Sequence, residues 1–257
     1  MITLPELARD LSVFERLELE DEPVGVKYLF QKPAGISRLE GQLAFCEMVP
    51  AAAEGRVFYA DRENHVCVGP IILGMEEWPG YRAGEIGELL GIYAEARANA
   101  HVYNILPELP KDTCNYTVFA PLSKLSFDPD VLVVSGTVEQ MEIVLRAYSY
   151  TTGRPYESMS TTVMGCAWML VRPYLTNKVV FSVARLGGGH IIRKIGKVGH
   201  LSVSIPWEWL PTVVENLGRM PWVPPSYVEG PDGPSRASVA PDGFLKFRRP
   251  YREEPGE

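Results

Sequence analysis

The segment that most limits the fold is YTVFAPLSKLSFDPDVLVVSGTVEQMEIVLRAYSYTTG, residues 116–153. Its first ten residues are rich in β-formers and read as a strand. Asp128-Pro129-Asp130 supplies a turn. Val131–Gly136 is a continuous apolar run, which predicts a strand covered on both faces. Thr137 and Gln140 then have capping-box spacing. Met141, Val144, Leu145 and Tyr148 form one helical stripe, and Gly153 falls where a helix end favours glycine. A chain with this strand–turn–strand–helix unit needs further strands beside it and a second layer over it.

The flanking segments supply candidates. Thr3 and Glu6 have capping spacing, and Leu7, Leu11 and Phe14 share a stripe, which predicts a helix over 3–17. A Val-rich run entered through Pro23 predicts a strand over Val24–Phe30. Leu39, Leu43 and Cys46 have helical spacing, with Pro50 kinking or ending that helix. GRVFYADREN reads as a strand and polar turn, and the Gly-rich stretch over 68–84 mostly as loop. A helix over 85–99 rests on Ile86, Leu89, Leu90 and Tyr93; Gly87 and Gly91 weaken it by about 1 kcal/mol each relative to Ala. STTVMGCAWMLV predicts a helix stopped by Pro173. A strand running into a glycine turn, the strand HLSVSIP and a helix from Pro206 to Gly218 complete the series.

Strands and helices alternate irregularly, so the expected class is α+β or mixed α/β. The expected form is a single globular body over 1–220 with a central mixed sheet flanked by helices. From Pro221 to Glu257 there are eight prolines, and an extended Pro-rich C-terminal tail is expected there.

Charge narrows the partners. A net charge of −7 over 257 residues argues against a general nucleic-acid or anionic-membrane surface, which needs concentrated Lys and Arg. No run of about eighteen apolar residues occurs, so no membrane span is expected. MITLPELARD lacks the basic and apolar regions of a secretory leader, and four cysteines are too few for a disulfide scaffold at this length. The expected location is cytoplasmic, with reduced thiols. A homo-oligomer or partner-subunit contact through the tail fits its FLKFRRPYREE segment.

Three constellations bear on chemistry. Cys46, Cys67, Cys114 and Cys166 lie far apart with no C-x-x-C pair, so the local signature of zinc or a ferredoxin-type cluster is missing. Either distant thiols converge on a soft metal, or they fill the core as free cysteine commonly does. His65 and Cys67 would share one face of a strand, which suits a shared metal, a thiolate–imidazolium pair or plain packing. In ARLGGGHIIRK, Gly187, Gly188 and Gly189 free backbone N–H groups, with Arg185, His190, Arg193 and Lys194 around them. Either an anionic small-molecule ligand binds there or the segment is a solvated turn. Arg146, Tyr148, Tyr150 and Arg154 near a helix end fit core packing and the helix dipole better than a pocket.

The order DEPVGVKYLF, FCEMVPAAAEG, NHVCVGPIILGM, the 116–153 unit, GCAWMLVRPYLTNK and LSVSIPWEWLPTVVENL resembles the domain-of-unknown-function 169 family, over roughly residues 20–218. The resemblance implies cysteines in common at Cys46, Cys67 and Cys166, and so a shared cysteine site. A metal ion or iron–sulfur cluster in an anaerobic redox or accessory role is the function it implies. A further family cysteine near the glycine turn is absent here. Arg185 stands at the place of the family arginine, and His65 or His190 could complete a ligand set. The family carries no assigned reaction, so whether the chain is an enzyme stays open.

Overall fold

A computed structural model describes residues 1–183 and 188–223. Met1–Gly218 form one compact unit, to which everything below refers. The strands are β1 (Val24–Leu29), β2 (Leu43–Ala44), β3 (Phe58–Ala60), β4 (His65–Val66), β5 (Tyr116–Pro121), β6 (Val131–Thr137), β7 (Val180–Val183) and β8 (His200–Pro206). The α-helices are α1 (Phe45–Ala53), α2 (Gly69–Ile72), α3 (Glu85–Leu89), α4 (Ala96–Asn104), α5 (Val138–Ser149), α6 (Arg172–Thr176), α7 (Gly188–Arg193) and α8 (Leu210–Arg219).

Six strands make one sheet in the order β3-β5-β1-β6-β8-β7. Each neighbouring pair in it is antiparallel. The parallel component of the expected mixed sheet is reduced to the separate two-residue β2–β4 ribbon and to isolated bridges such as Arg38 with Tyr59 and Glu157 with Val180. The α+β class stands. Antiparallel neighbours need no long crossover, and the DPD turn sits between β5 and β6.

The apolar run of β6 explains the layering. Val131 and Val133 belong to a core cluster with Phe45 and Met48 of α1 and with the buried segment Ala167–Val171. Leu132 and Val134 alternate to the opposite face, where α5 packs on β6 and β8. Thr137 and Gln140 form the predicted box. Gln140 N–H donates to Thr137 Oγ1 at 3.3 Å, and Thr137 N–H donates to Gln140 Oε1 at 2.9 Å. Gln140 Nε2 also donates to the Leu17 carbonyl at 2.9 Å, tying the N-terminal segment to α5. Thr137→Ala is expected to cost about 1 kcal/mol in urea unfolding, the usual size of a lost cap.

Several expectations are corrected. Residues 3–11 do not form a helix; only Ser12–Leu17 makes a 3₁₀ turn. The upstream backbone bonds elsewhere, with Leu7 N–H on the Ser126 carbonyl at 3.0 Å and Ala8 N–H on Asp128 Oδ1 at 2.8 Å. The helix expected around Leu39 begins only at Phe45, because Gly41 takes φ 77°, outside the helical region. Gly91, at φ 66°, likewise separates α3 from α4. The Gly-rich stretch contains α2. The expected tail from residue 224 onward lies outside the described residues.

Both margins of the sheet carry an extra strip of chain. Beside β3, Leu39 N–H donates to the Tyr59 carbonyl at 2.8 Å and Tyr59 N–H to the Ser37 carbonyl at 2.9 Å. Beside β7, Phe181 N–H donates to the Glu157 carbonyl at 3.2 Å.

Candidate functional site

Cys46 is the second residue of α1. Glu47 Oε2 accepts the Ala44 N–H at 2.7 Å and so fixes the helix start. Pro50 lies inside α1. It has no N–H, so the Cys46 carbonyl four residues earlier lacks its usual helical partner. Pro50 is the sixth of the nine residues, and Ala51–Ala53 complete the helix beyond it at the cost of that one bond.

Cys166 precedes a wide π-helical turn, Ala167–Val171, all five of whose residues are buried. Arg172 N–H donates to the Ala167 carbonyl, five residues back. Pro173 therefore does not stop the chain, as its sequence position predicts. It lies in the first turn of α6, where a missing N–H costs little. Such turns are rare and often sit at functional sites. Trp168 anchors this one, its Nε1 donating to Thr161 Oγ1 at 2.9 Å.

Cys67 follows β4 with φ 64° and is exposed, whereas His65 is buried. The left-handed backbone at Cys67 ends the two-residue alternation, so the pair does not share the strand face expected of it. His65 packs against Phe45 with ring centroids 5.7 Å apart, and its Nε2 lies 3.5 Å from Thr117 Oγ1. Its Nδ1 is buried without a hydrogen-bond partner among the described residues. Gly69 crosses close to it; a Cβ there would stand 3.1 Å from Nδ1. Burial, reinforced by the Arg62 charge and opposed by Asp61, lowers the His65 pKa to about 4, so the ring is neutral at pH 7.

The thiols feel one another. Burial pushes Cys46 up to about 11; Arg193 opposes this, and charge on Cys67 and Glu47 adds to it. Burial raises Cys166 well above the ordinary thiol value, and charge on Cys46, then Cys67, raises it further. Cysteines from three distant segments are thus within electrostatic reach. Among the described residues, no group of three or more His, Cys, Asp or Glu side chains that could hold a metal ion is present. Cys114 is buried elsewhere, its Sγ 3.4 Å from the Tyr116 carbonyl.

Cys46 and Cys166 both line a cleft with room for about 120 Å³, roofed by the segment around α7. Its floor is apolar, from Val49, Val133, Met169 and Leu170, and its polar wall holds Ser135, Ser202, His190 and His200. The two serines face each other across the β6–β8 register, with hydroxyls 2.7 Å apart. The cations beside it are matched by carboxylates. Lys197 Nζ is 2.9 Å from both Glu20 and Asp21, and Arg193 Nε is 3.5 Å from Glu47. Such a mainly apolar concavity with a few convergent polar groups is what small ligands select.

Of the glycine-turn residues, Arg185 and Gly187 lie outside the described residues, while Gly188 and Gly189 open α7. His190 from the same stretch lines the cleft. Tyr148 is buried against Trp209, with ring centroids 5.1 Å apart, and Arg154 covers the same ring at 4.8 Å, as core packing requires. Met169, Lys197, His200 and the serine pair were not singled out in the sequence. Met169 had a local signal, three residues beyond Cys166; the others become neighbours only through the β6–β8 register.

Residues 13–216 match the model of a family described as an uncharacterised ArCR family, domain of unknown function 169. An uncharacterised protein of Methanocaldococcus jannaschii is 24% identical over 220 residues, covering 82% of this chain and 94% of that protein. No solved structure matches. No helix among the described residues is long and apolar enough to cross a membrane. With the match spanning nearly all of the unit that holds the sheet, the cleft and all four cysteines, the chain belongs to the domain-of-unknown-function 169 family.

Proposed function

We propose that the protein binds a small, weakly charged molecule in the cleft over Cys46 and Cys166. The observation that supports this is the convergence of two thiols, 120 positions apart in sequence, on one mainly apolar cavity with hydroxyl and imidazole groups on its wall. The neighbouring cations are already matched by Glu47, Glu20 and Asp21. A strongly anionic ligand would have to displace those carboxylates, so a neutral or singly charged one is favoured. A thermal-shift screen of neutral and monocarboxylate metabolites tests the reading. Each hit is then measured on Ala53→Phe, which narrows the cleft without touching a thiol. Affinity should fall at least about tenfold, or about 1.4 kcal/mol, with the melting temperature held. Hits that bind the variant as tightly as the parent would rule the cleft out.

A second reading is a metal or iron–sulfur centre on Cys46, Cys67 and Cys166. Its support is the reach of the Cys67 charge to both other thiols and the softness of thiolate donors. Iron, zinc and sulfide analysis of anaerobically purified protein tests it. Metal-free protein that retains the cleft ligand would leave only the first reading.

A further inference from the structure

We propose that Cys46, Cys166 and Met169 form a site for one soft monovalent cation of the copper(I) class at the floor of the cleft. This rests on the cleft being the functional site and adds an ion at its floor. All three sulfur-bearing side chains line that one cavity. Met169 lies in the π-helical turn that Cys166 precedes, and both line the same cleft as Cys46 of α1. Cys46 is also the first charge that Cys166 feels.

The donor chemistry selects the cation. Two thiols and a thioether are soft, polarisable and free of oxygen, which suits copper(I) and disfavours calcium or magnesium. Zinc wants four donors. The described residues offer no trio of His, Cys, Asp or Glu from which to build such a set, whereas a soft monovalent ion is satisfied by two or three sulfurs. Met169 supplies the third without adding charge. Two thiolates and one monovalent cation leave a single negative charge. Arg193, 3.5 Å from Glu47 and acting also on Cys46, would share its charge between that carboxylate and the site. The apolar walls exclude competing water.

Binding replaces two S–H bonds with two S–metal bonds and releases two protons to solvent; no electron moves.

The full chain is titrated anaerobically with copper(I) in competition with bicinchoninate, and zinc is run in parallel. One copper(I) per chain is expected. Cys46→Ser and Cys166→Ser should each weaken binding about 100-fold or more, and Met169→Leu about tenfold, the scale of losing one supporting partner. Met169→Leu nearly conserves volume, so an unchanged melting temperature separates donor loss from misfolding. Cys114→Ser, whose thiol is buried away from the cleft against the Tyr116 carbonyl, should leave the affinity unchanged. Loss of binding in Cys114→Ser with an unchanged melting temperature, indifference to Met169→Leu, or zinc bound as tightly and with the same dependence would each overturn the site. If copper(I) is not captured while cleft hits still weaken in Ala53→Phe, this inference fails and the cleft stands. If those hits also ignore Ala53→Phe, both fail.

Discussion

Acidification from pH 7 to pH 4 is expected to destabilise the wild-type chain by about 3 kcal/mol more than it destabilises His65→Gln. The folded His65 has a pKa of about 4 against an ordinary value of 6.5, chiefly because burial penalises the imidazolium. The unfolded chain therefore takes up the proton first. The stability held by the neutral ring is complete above pH 6.5, is lost as pH falls below it, and stops falling near pH 4. Each tenfold gap in proton affinity is worth about 1.4 kcal/mol, so the gap between 6.5 and about 4 gives about 3 kcal/mol. Asp130 acts in the opposite sense. Its pKa is raised by burial, against the pull of Lys27, so it gains a proton more readily when folded and steadies the fold on acidification. Glu108, also raised by burial, does the same. Subtracting the variant's curve from the wild-type curve removes both. Urea unfolding at half-unit pH steps measures the difference, and parallel curves would show that His65 is not the buried neutral group described.

Replacing Trp168 by alanine should cost about 3–5 kcal/mol, the usual range for emptying a buried aromatic site. Trp168 is 2% exposed and lies in the π-helical turn. Its Nε1 bond to Thr161 holds the loop that leads into Cys166. Arg172 sits over its ring at 5.8 Å. Trp168→Phe keeps most of the volume but removes the donor, and about 1 kcal/mol is expected for the lost hydrogen bond. The two variants also separate packing from positioning. Cys166, partly exposed in the cleft, should react faster with a thiol reagent such as DTNB in Trp168→Ala than in the parent chain and at the parent rate in Trp168→Phe. A Trp168→Ala protein with wild-type urea midpoint and an unchanged Cys166 rate would mean that the turn is held by something else.

What the sequence made legible was local. The 116–153 unit declared itself because capping residues, a β-rich run and a 3.6-residue stripe agree with one another and with the tertiary structure. The N-terminal stripe misled because Leu11 and Phe14 are indeed buried, while the backbone of Leu7 and Ala8 finds better partners on Ser126 and Asp128. Stripes across Gly41 and Gly91 ran through positions whose backbone leaves the helical region. A site shared by Cys46, Cys67 and Cys166 was an expectation from family resemblance that spacing alone could not tell from core filling; the cleft brings together Cys46 and Cys166. His200 and the serine pair stayed hidden because strand register, a long-range property, creates that neighbourhood, whereas Met169 had only its spacing from Cys166 to mark it.

The strips of chain along β3 and β7 bear on self-association. An edge strand normally offers a row of unpaired N–H and C=O groups that template another copy's strand. Here the Tyr59 N–H and carbonyl are taken by Ser37 and Leu39, and the Phe181 N–H by Glu157. Continuing the sheet from one molecule to the next would first require peeling those strips away. The fold thus carries its own protection against edge-to-edge polymerisation, and partners that meet these two margins without such peeling must be recognised by side chains.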